Sequence, residues 1–440
     1  METLCSSSES SQGEHETTGS VVFVSQQFPP DRSGHASRLS ALATTLADEG
    51  WDVSVLTPPP SFPHGEFERS WRPTERTQID GVEVVRLWTV QPTSPDPGFL
   101  TRMAFYVLFA VHATLWLLAR RHEHDVLVTT TPPISTGVAG LATVRADTRW
   151  VVDVRDLWID ASVSLGFISE GGLLERGSRR FQRGVLSRAD RLSVTTETLG
   201  ERLCEQYGAE LEAKLLLVPN GVDTERFQRP ETAATNSGPP VEAVRRDGGE
   251  NERTPKVVIY TGNIGHAQNL DECVRALETL PEDVILRLVG GGDAVEDLEQ
   301  LATDRGVRHR VEFVGTRPHE EIPELIGEAQ VGLAPLRDDA ELGYAMPTKV
   351  YEYLGSGVPV VTTGRGELER FIDRSGGGIH AESDDQSIAT AIETLLEDDD
   401  LRVETGRRGS EYVCERYDRK SVAREFSQHL CRLVAATEVS

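Results

Sequence analysis

The chain has 440 residues, with 45 basic and 71 acidic side chains and a formal charge of −26. That length exceeds a single core, so two domains are expected. So acidic a chain lacks the basic surface that nucleic-acid binding needs, and no nucleic-acid partner is expected.

Its four lysines are Lys214, Lys256, Lys349 and Lys420. Many carboxylates with few lysines suit a protein kept soluble in high salt, where charge repulsion is screened. Codon bias combined with an acidic interaction surface would give a similar composition. The five cysteines, Cys5, Cys204, Cys273, Cys414 and Cys431, are scattered without metal or redox spacing. Free thiols in a reducing, cytoplasmic compartment are expected.

In chain order, residues 1–19 are polar, lack the apolar stretch of a signal peptide and are expected to be disordered. Val21-Val22-Phe23-Val24-Ser25 is a short apolar run of the kind buried in parallel sheets. The loop Pro29 to Gly34 follows, then an amphipathic helix from about Ala36 to Glu49, closed by Gly50. Further strands are predicted at 52–57, 82–88, 125–130, 150–154 and 190–195. This alternation predicts a doubly wound α/β domain over 20–210. Residues 103–119 carry no formal charge, and Phe105, Phe109 and Trp116 form a stripe along them. The segment is short for a membrane span, and a span would split one sheet across the bilayer. A buried domain helix and a helix docked peripherally in the membrane interface remain as its two main readings.

A second α/β series spans 211–419. Its strands are predicted at 257–260, 284–289, 311–314, 331–334 and 358–362. Residues 228–255 lack apolar periodicity and read as a mobile surface insertion. A final helix, 420–436, is expected to return to the first domain.

The most informative stretch is Gly343 to Val361. Pro347 and Thr348 mark a helix start, with Thr348 expected to cap it. The unpaired N–H groups and positive dipole end of such a start suit a diphosphate. Lys349 adds a full charge there. Glu352, one turn on, can accept hydrogen bonds from ribose hydroxyls; both residues would otherwise be a solvated helix face. A second stretch, Tyr260 to Leu270, reads as strand, glycine-rich turn and helix start. Gly262 and Gly265 let backbone approach a ligand. Val289 to Asp293, with Gly291 at its centre, is a similar turn. No metal-ligand spacing occurs and no metal or other cofactor is expected.

At this point the chain resembles glycosyltransferase family 4, whose GT-B fold faces two Rossmann-like domains across a cleft. The segments that carry the resemblance come in order: Phe28 to Arg38, Val218 to Asp223, Tyr260 to Asn269, Leu288 to Asp293, Val311 to Gly315, and Pro347 to Val361. Asp153 to Trp158 with Ser164-Leu165-Gly166 resembles a subgroup acting on amino-sugar donors in surface-glycan assembly.

The resemblance implies a retaining glycosyltransferase that takes a hexose or N-acetylhexosamine from a nucleotide-sugar donor. Its acceptor is expected to be a glycan, lipid-linked. It implies donor contacts from Gly262, Asn263, Gly265, Gln268, Gly291, Thr348, Lys349 and Glu352. It gives Gly34, His35 and Arg38 to the acceptor-facing loop, with solvent exposure as the alternative for His35. Lys349 would stabilise the leaving diphosphate, and Asp156 and Arg155 would orient the sugar or acceptor. For Asp156, a general-base role and a structural cap near Trp158 both stay open. Family members often carry two glutamates with seven residues between them; Glu352 matches the second, and Tyr344 stands at the first. Asn263 and Gln268 replace the usual phosphate-binding Arg and Lys. A sugar-nucleotide epimerase and a non-catalytic sugar-nucleotide-binding subunit are the alternative functions.

Overall fold

The computed structural model describes residues 18–94, 97–120, 123–145, 147–164, 166–227, 255–338 and 342–438. The tail expected over 1–19 lies outside these up to residue 17, and the insertion expected over 228–255 lies outside them up to residue 254.

The first domain is built on β1 (Gly19–Val24), β2 (Trp51–Thr57), β3 (Thr74–Ile79), β4 (Val82–Leu87), β5 (Val126–Thr131), β6 (Arg149–Val154), β7 (Arg191–Val194) and β8 (Leu215–Leu217). They form an eight-stranded sheet in the order β3-β4-β2-β1-β5-β6-β7-β8. Every pairing is parallel except β3 with β4. The second domain contains β9 (Lys256–Thr261), β10 (Val284–Val289), β11 (Val311–Gly315), β12 (Val331–Ala334), β13 (Val360–Thr362) and β14 (Gly378–His380). These make a six-stranded sheet, β11-β10-β9-β12-β13-β14, parallel throughout.

Val, Ile and Leu runs fill the central strands because helices cover both sheet faces, so both sides of each strand are buried. β3, β8 and β14 were not expected from sequence, and all three lie at sheet edges. An edge strand needs little apolar surface. β3 reads Thr-Glu-Arg-Thr-Gln-Ile and is largely exposed, so no hydrophobic period betrays it.

Two sequence-derived boundaries move. The first helix spans Gly34–Asp48 rather than starting at Ala36, because the Ser33 hydroxyl accepts the Ala36 N–H at 3.1 Å and sets the cap there. The helix Thr348–Gly355 is capped by Pro347 with no side-chain hydrogen bond, so Thr348 is its first residue and not its cap. Its leading N–H groups are therefore left for a ligand.

The apolar segment forms a helix over Phe99–Ala119. By length and composition it could cross a membrane. One face, with Phe105, Phe109, Ala113 and Trp116, is buried, and much of it belongs to the core shared with β5, β6 and β7. The other face exposes Leu100, Val107, Val111 and Leu115. β4 before it and β5 after it belong to the same sheet.

The last helix, Arg419–Glu438, returns to the first domain. Val422, Ala423, Phe426, Leu430 and Leu433 pack with Phe23, Leu39, Trp51 and Val53. The Trp51 Nε1–H donates to Ser427 Oγ at 2.9 Å. In doubly wound sheets the binding crevice opens at the carboxyl ends of the strands where the strand order reverses. Here those points fall between β1 and β5 and between β9 and β12.

Phe426 is 2% exposed at the centre of this packing. Phe426→Ala should lower unfolding stability by about 3–5 kcal/mol, the usual cost of deleting a buried aromatic. Urea denaturation checks it; a loss below about 1 kcal/mol would mean that the helix is only loosely docked.

Candidate functional site

At the reversal point of the second sheet, β9 ends at Thr261 and the chain turns at Gly262. Gly262 has φ +115°, which side-chain-bearing residues rarely adopt. Gly290, after β10, has φ +143°, and a Cβ there would lie 1.9 Å from the Gly262 carbonyl oxygen. The two glycine turns thus pack backbone on backbone. The Gly262 N–H donates to the Val289 carbonyl at 2.9 Å, and the Ile264 N–H to the Gly291 carbonyl at 2.9 Å.

Within the first turn, Gln268 Oε1 accepts the Gly265 N–H at 3.1 Å. Its side-chain carbonyl therefore holds the turn. The Asn263 carbonyl accepts the Tyr260 hydroxyl, while its side chain, with that of Asp293, crowds over Gly265.

Lys349, in the first turn of the helix Thr348–Gly355, reaches back over this platform. Its Nζ lies 3.6 Å from the centroid of the Tyr260 ring, and 3.5 Å from the point where a Cβ on Gly262 would sit. A solvated helix face is thereby ruled out for Lys349. The Lys349 side chain is half-buried. Desolvation lowers its pKa from the ordinary 10.5 to about 7, although nearby Glu352 pulls the other way. Glu352 is likewise half-buried. Burial raises its pKa, opposed by the charges of Arg419, Lys349 and Arg226.

The first domain contributes a second group. Gly34 opens its helix onto free space, with nothing within 4 Å of a Cβ position. Arg38, expected to face an acceptor, is instead 2% exposed. Its Nη1 donates to Asp153 Oδ2 at 2.9 Å and its Nη2 to the Val218 carbonyl at 2.8 Å. With both Nη atoms spent on these fixed acceptors it is an internal strut, although its Nε has no hydrogen-bond partner. His35 is not a freely exposed side chain either. Its Nε2 lies 3.0 Å from Ser25 Oγ. Burial, with the charges of Arg155 and Arg38, drives its pKa well below 6.5 and leaves the ring neutral.

Arg155 stands beside Asp153, with its Nε 4.0 Å from Asp153 Oδ2, and that Nε has no hydrogen-bond partner. Burial and the charge of Arg38 lower its pKa to about 10. Arg155 and Lys349 are therefore cations whose surroundings under-compensate them, the condition for holding an anion.

Asp156 contacts the other domain. The Tyr344 hydroxyl donates to Asp156 Oδ1, and the Leu157 N–H donates to the Tyr344 oxygen at 3.4 Å. Burial raises the Asp156 pKa, while Tyr344, the Leu157 N–H and Arg155 oppose the rise.

Sequence reading missed Arg419. It donates from Nη1 to Ser37 Oγ at 3.2 Å and from Nη2 to the Gly221 carbonyl at 3.1 Å. It is also the foremost charge opposing the rise at Glu352. Nothing local marks it, because its partners are distant in sequence. The domains also meet where the Thr198 N–H and hydroxyl donate to Glu367 Oε2 at 3.2 and 2.7 Å. Ion pairs Arg374–Glu197 at 2.9 Å and Arg370–Glu201 at 3.1 Å flank that contact. Among the described residues, no three His, Cys, Asp or Glu side chains gather as a metal-ligand set.

Comparison with known proteins shows the family and the fold. Residues 33–221 match the glycosyl transferase 4-like domain, and residues 242–412 match glycosyl transferases group 1. The colanic acid biosynthesis glycosyl transferase WcaI of Escherichia coli is 25% identical, covering 79% of this chain and 84% of that protein. A GDP-mannose-dependent alpha-(1-6)-phosphatidylinositol monomannoside mannosyltransferase of Mycolicibacterium smegmatis is 26% identical, covering 90% of this chain and 94% of its own. Among solved structures, sucrose-phosphate synthase from Thermosynechococcus elongatus superposes with TM-score 0.72 at 19% identity, over 95% of this chain and 100% of that one. HepE of Anabaena, in complex with UDP-glucose, gives TM-score 0.66 at 16% identity, over 95% and 100%.

The buried lysine makes a stability prediction. A lysine whose folded pKa lies below its unfolded value destabilises fully at pH below about 7, and the cost fades as pH rises toward the unfolded value of ~10.4. Lys349→Met should therefore melt above the native protein at pH 6–7, with the gap closing toward pH 10. Thermal melts across that range check it; a gap that does not change with pH would contradict the desolvation.

Proposed function

The chain belongs to glycosyltransferase family 4, with the GT-B fold, and from that premise we propose that it is a retaining transferase moving a hexose or N-acetylhexosamine from a nucleotide-sugar donor to a lipid-linked glycan acceptor in surface-glycan synthesis. The observation that carries this reading is Lys349: an ammonium desolvated to near neutrality, beside a helix start and a glycine turn. Such a site lacks an anion, and a nucleoside diphosphate supplies one.

Cleavage of the sugar–phosphate bond builds negative charge on the leaving diphosphate. Preorganised donors stabilise that charge in a dry site. In this reading they are Lys349 and the N–H groups at Thr348 and Lys349, set over the Gly262–Gly265 turn, with Gly291 and Asn263 closing the platform. No divalent ion or other cofactor is assigned to the step. Glu352, set by Arg419, accepts from the donor's ribose. Arg155 and Asp156 orient the sugar or the incoming acceptor, which enters past Gly34 and His35. The exposed Leu100, Val107, Val111 and Leu115 of the helix Phe99–Ala119 support a peripheral seat on the cytoplasmic membrane face, where a lipid-borne acceptor is found. The carboxylate-rich surface suits high salt.

The test is transfer from nucleotide sugars to lipid-linked or soluble glycan acceptors in high salt, with the product anomer read by NMR. An inverted product would refute retention, and conversion of donor alone would identify an epimerase. Lys349→Ala should cut kcat about 10- to 150-fold, since one charge-assisted contact is worth about 1.5–3 kcal/mol; undiminished turnover would remove Lys349 from the phosphate site.

Affinity for nucleoside diphosphate should also depend on pH. A bound anion favours the ammonium form, so above about pH 7 binding must recruit a proton. The dissociation constant should then rise by up to about tenfold per pH unit. Calorimetry checks this, and Lys349→Met should flatten the profile.

A further inference from the structure

Tyr344 belongs to the second domain by chain position, five residues before Lys349, yet its ring is 9% exposed and packs into the hydrophobic core of the first domain with residues such as Leu157, Val154 and Leu199. Both of its polar ends are held there as well. Its hydroxyl donates to Asp156 Oδ1 and accepts from the Leu157 N–H. Its carbonyl accepts the Thr196 hydroxyl at 2.9 Å. The adjoining residue, Gly343, is fixed to its own domain, its carbonyl accepting the Glu367 N–H at 2.8 Å. The strand of chain that enters the Lys349 helix is thus pinned on both sides of the cleft.

Asp156 is a demanding place for a carboxylate. It is half-buried, at the carboxyl end of β6 on the cleft side. The groups that bear on it are Tyr344 and the Leu157 N–H, the guanidinium of Arg155, and the carboxylate of Asp160. Asp153 lies three residues away but is occupied by Arg38 at 2.9 Å and by the Ser193 hydroxyl at 2.5 Å. Arg155 is drawn toward Asp153 and crowded by Arg38. Only one of these partners, Tyr344, comes from the domain that carries Lys349.

We propose that Tyr344 is a positioning residue for sugar transfer: by clasping Asp156 across the cleft it orients that carboxylate to accept a hydrogen bond from a sugar hydroxyl. The inference rests on the glycosyltransferase reading given above. The geometry makes the pair a register between the domains. The same short segment that fixes Asp156 leads into the helix start that holds the donor, so an aligned Asp156 coincides with an assembled donor site. A phenol serves this purpose because its ring anchors in apolar packing while its hydroxyl reaches a carboxylate. A hydrogen bond to the charged form of an acid favours ionisation, and removing it raises the acid's pKa.

The experiment compares the full-length native protein with Tyr344→Phe, Asp156→Asn and the double variant. Tyr344→Phe keeps the ring in the core and deletes only the hydroxyl. One arm needs no activity. In a double-mutant cycle on melting temperature, Tyr344→Phe should cost more at pH 8 than in acid strong enough to protonate Asp156. In an Asp156→Asn background that pH dependence should vanish. Additive effects at every pH would overturn the clasp.

The second arm measures sugar transfer. Tyr344→Phe should lower kcat roughly tenfold, with donor KM little changed, and should move the acidic limb of the kcat profile to higher pH. Asp156→Asn should lose that limb. A clasp present in the melts with kcat and limb unchanged would overturn the positioning role and leave a structural contact. A native protein that shows the clasp but transfers no sugar from any nucleotide donor would instead sink the transferase reading, and this inference with it.

Discussion

The site depends on one unfavourable act, the enclosure of the Lys349 ammonium. In a chain with a formal charge of −26, this cation is kept from the carboxylates that would neutralise it. It rests over the Tyr260 ring, with Glu352 as its nearest counter-charge. Taking a charge out of water costs free energy unless a partner replaces the lost hydration. In the proposed function an anionic ligand relieves that cost. Stability given up at an active site is a common trade.

The glycine turns exist for the same purpose. Gly290 cannot carry a side chain, since its Cβ would overlap the Gly262 carbonyl, and the two turns pack backbone on backbone beneath Lys349. A cationic pair in that loop would compensate a diphosphate directly. Here Asn263 and Gln268 stand in that loop, and Gln268 is partly used in holding the turn together. In the proposed function, charge compensation then falls to Lys349 from the helix start.

The two domains are joined by groups that sit far apart in sequence. Arg419 ties the last helix to Ser37 and Gly221. Glu367 accepts the backbone of the helix that begins at Glu197, a carboxylate at a positive helix end. Tyr344 inserts into the opposite core. Because the last helix crosses back to pack on β1, β2 and the first helix, the first domain is completed by the final residues of the chain. Substitutions at this crossing should therefore affect stability and cleft geometry together.

The sequence alone determined the alternation of strands and helices, both glycine turns and the helix start at Thr348. These are local: hydrophobic runs, turn residues and breakers act within a few positions. It also placed Lys349 and Glu352, because their spacing from a helix start is fixed by helix geometry. Edge strands β3, β8 and β14 escaped it, since exposed edges need no apolar pattern. Tertiary structure alone decided which polar residues face the cleft. Arg38 and Arg155 look alike in sequence, yet both Nη atoms of Arg38 are spent on Asp153 and Val218, while Arg155 stands 4.0 Å from Asp153. The partnership of Tyr344 with Asp156 spans 188 positions. A hydrogen bond of that kind exists only after the packing of two domains has brought its ends together, and no local propensity encodes it.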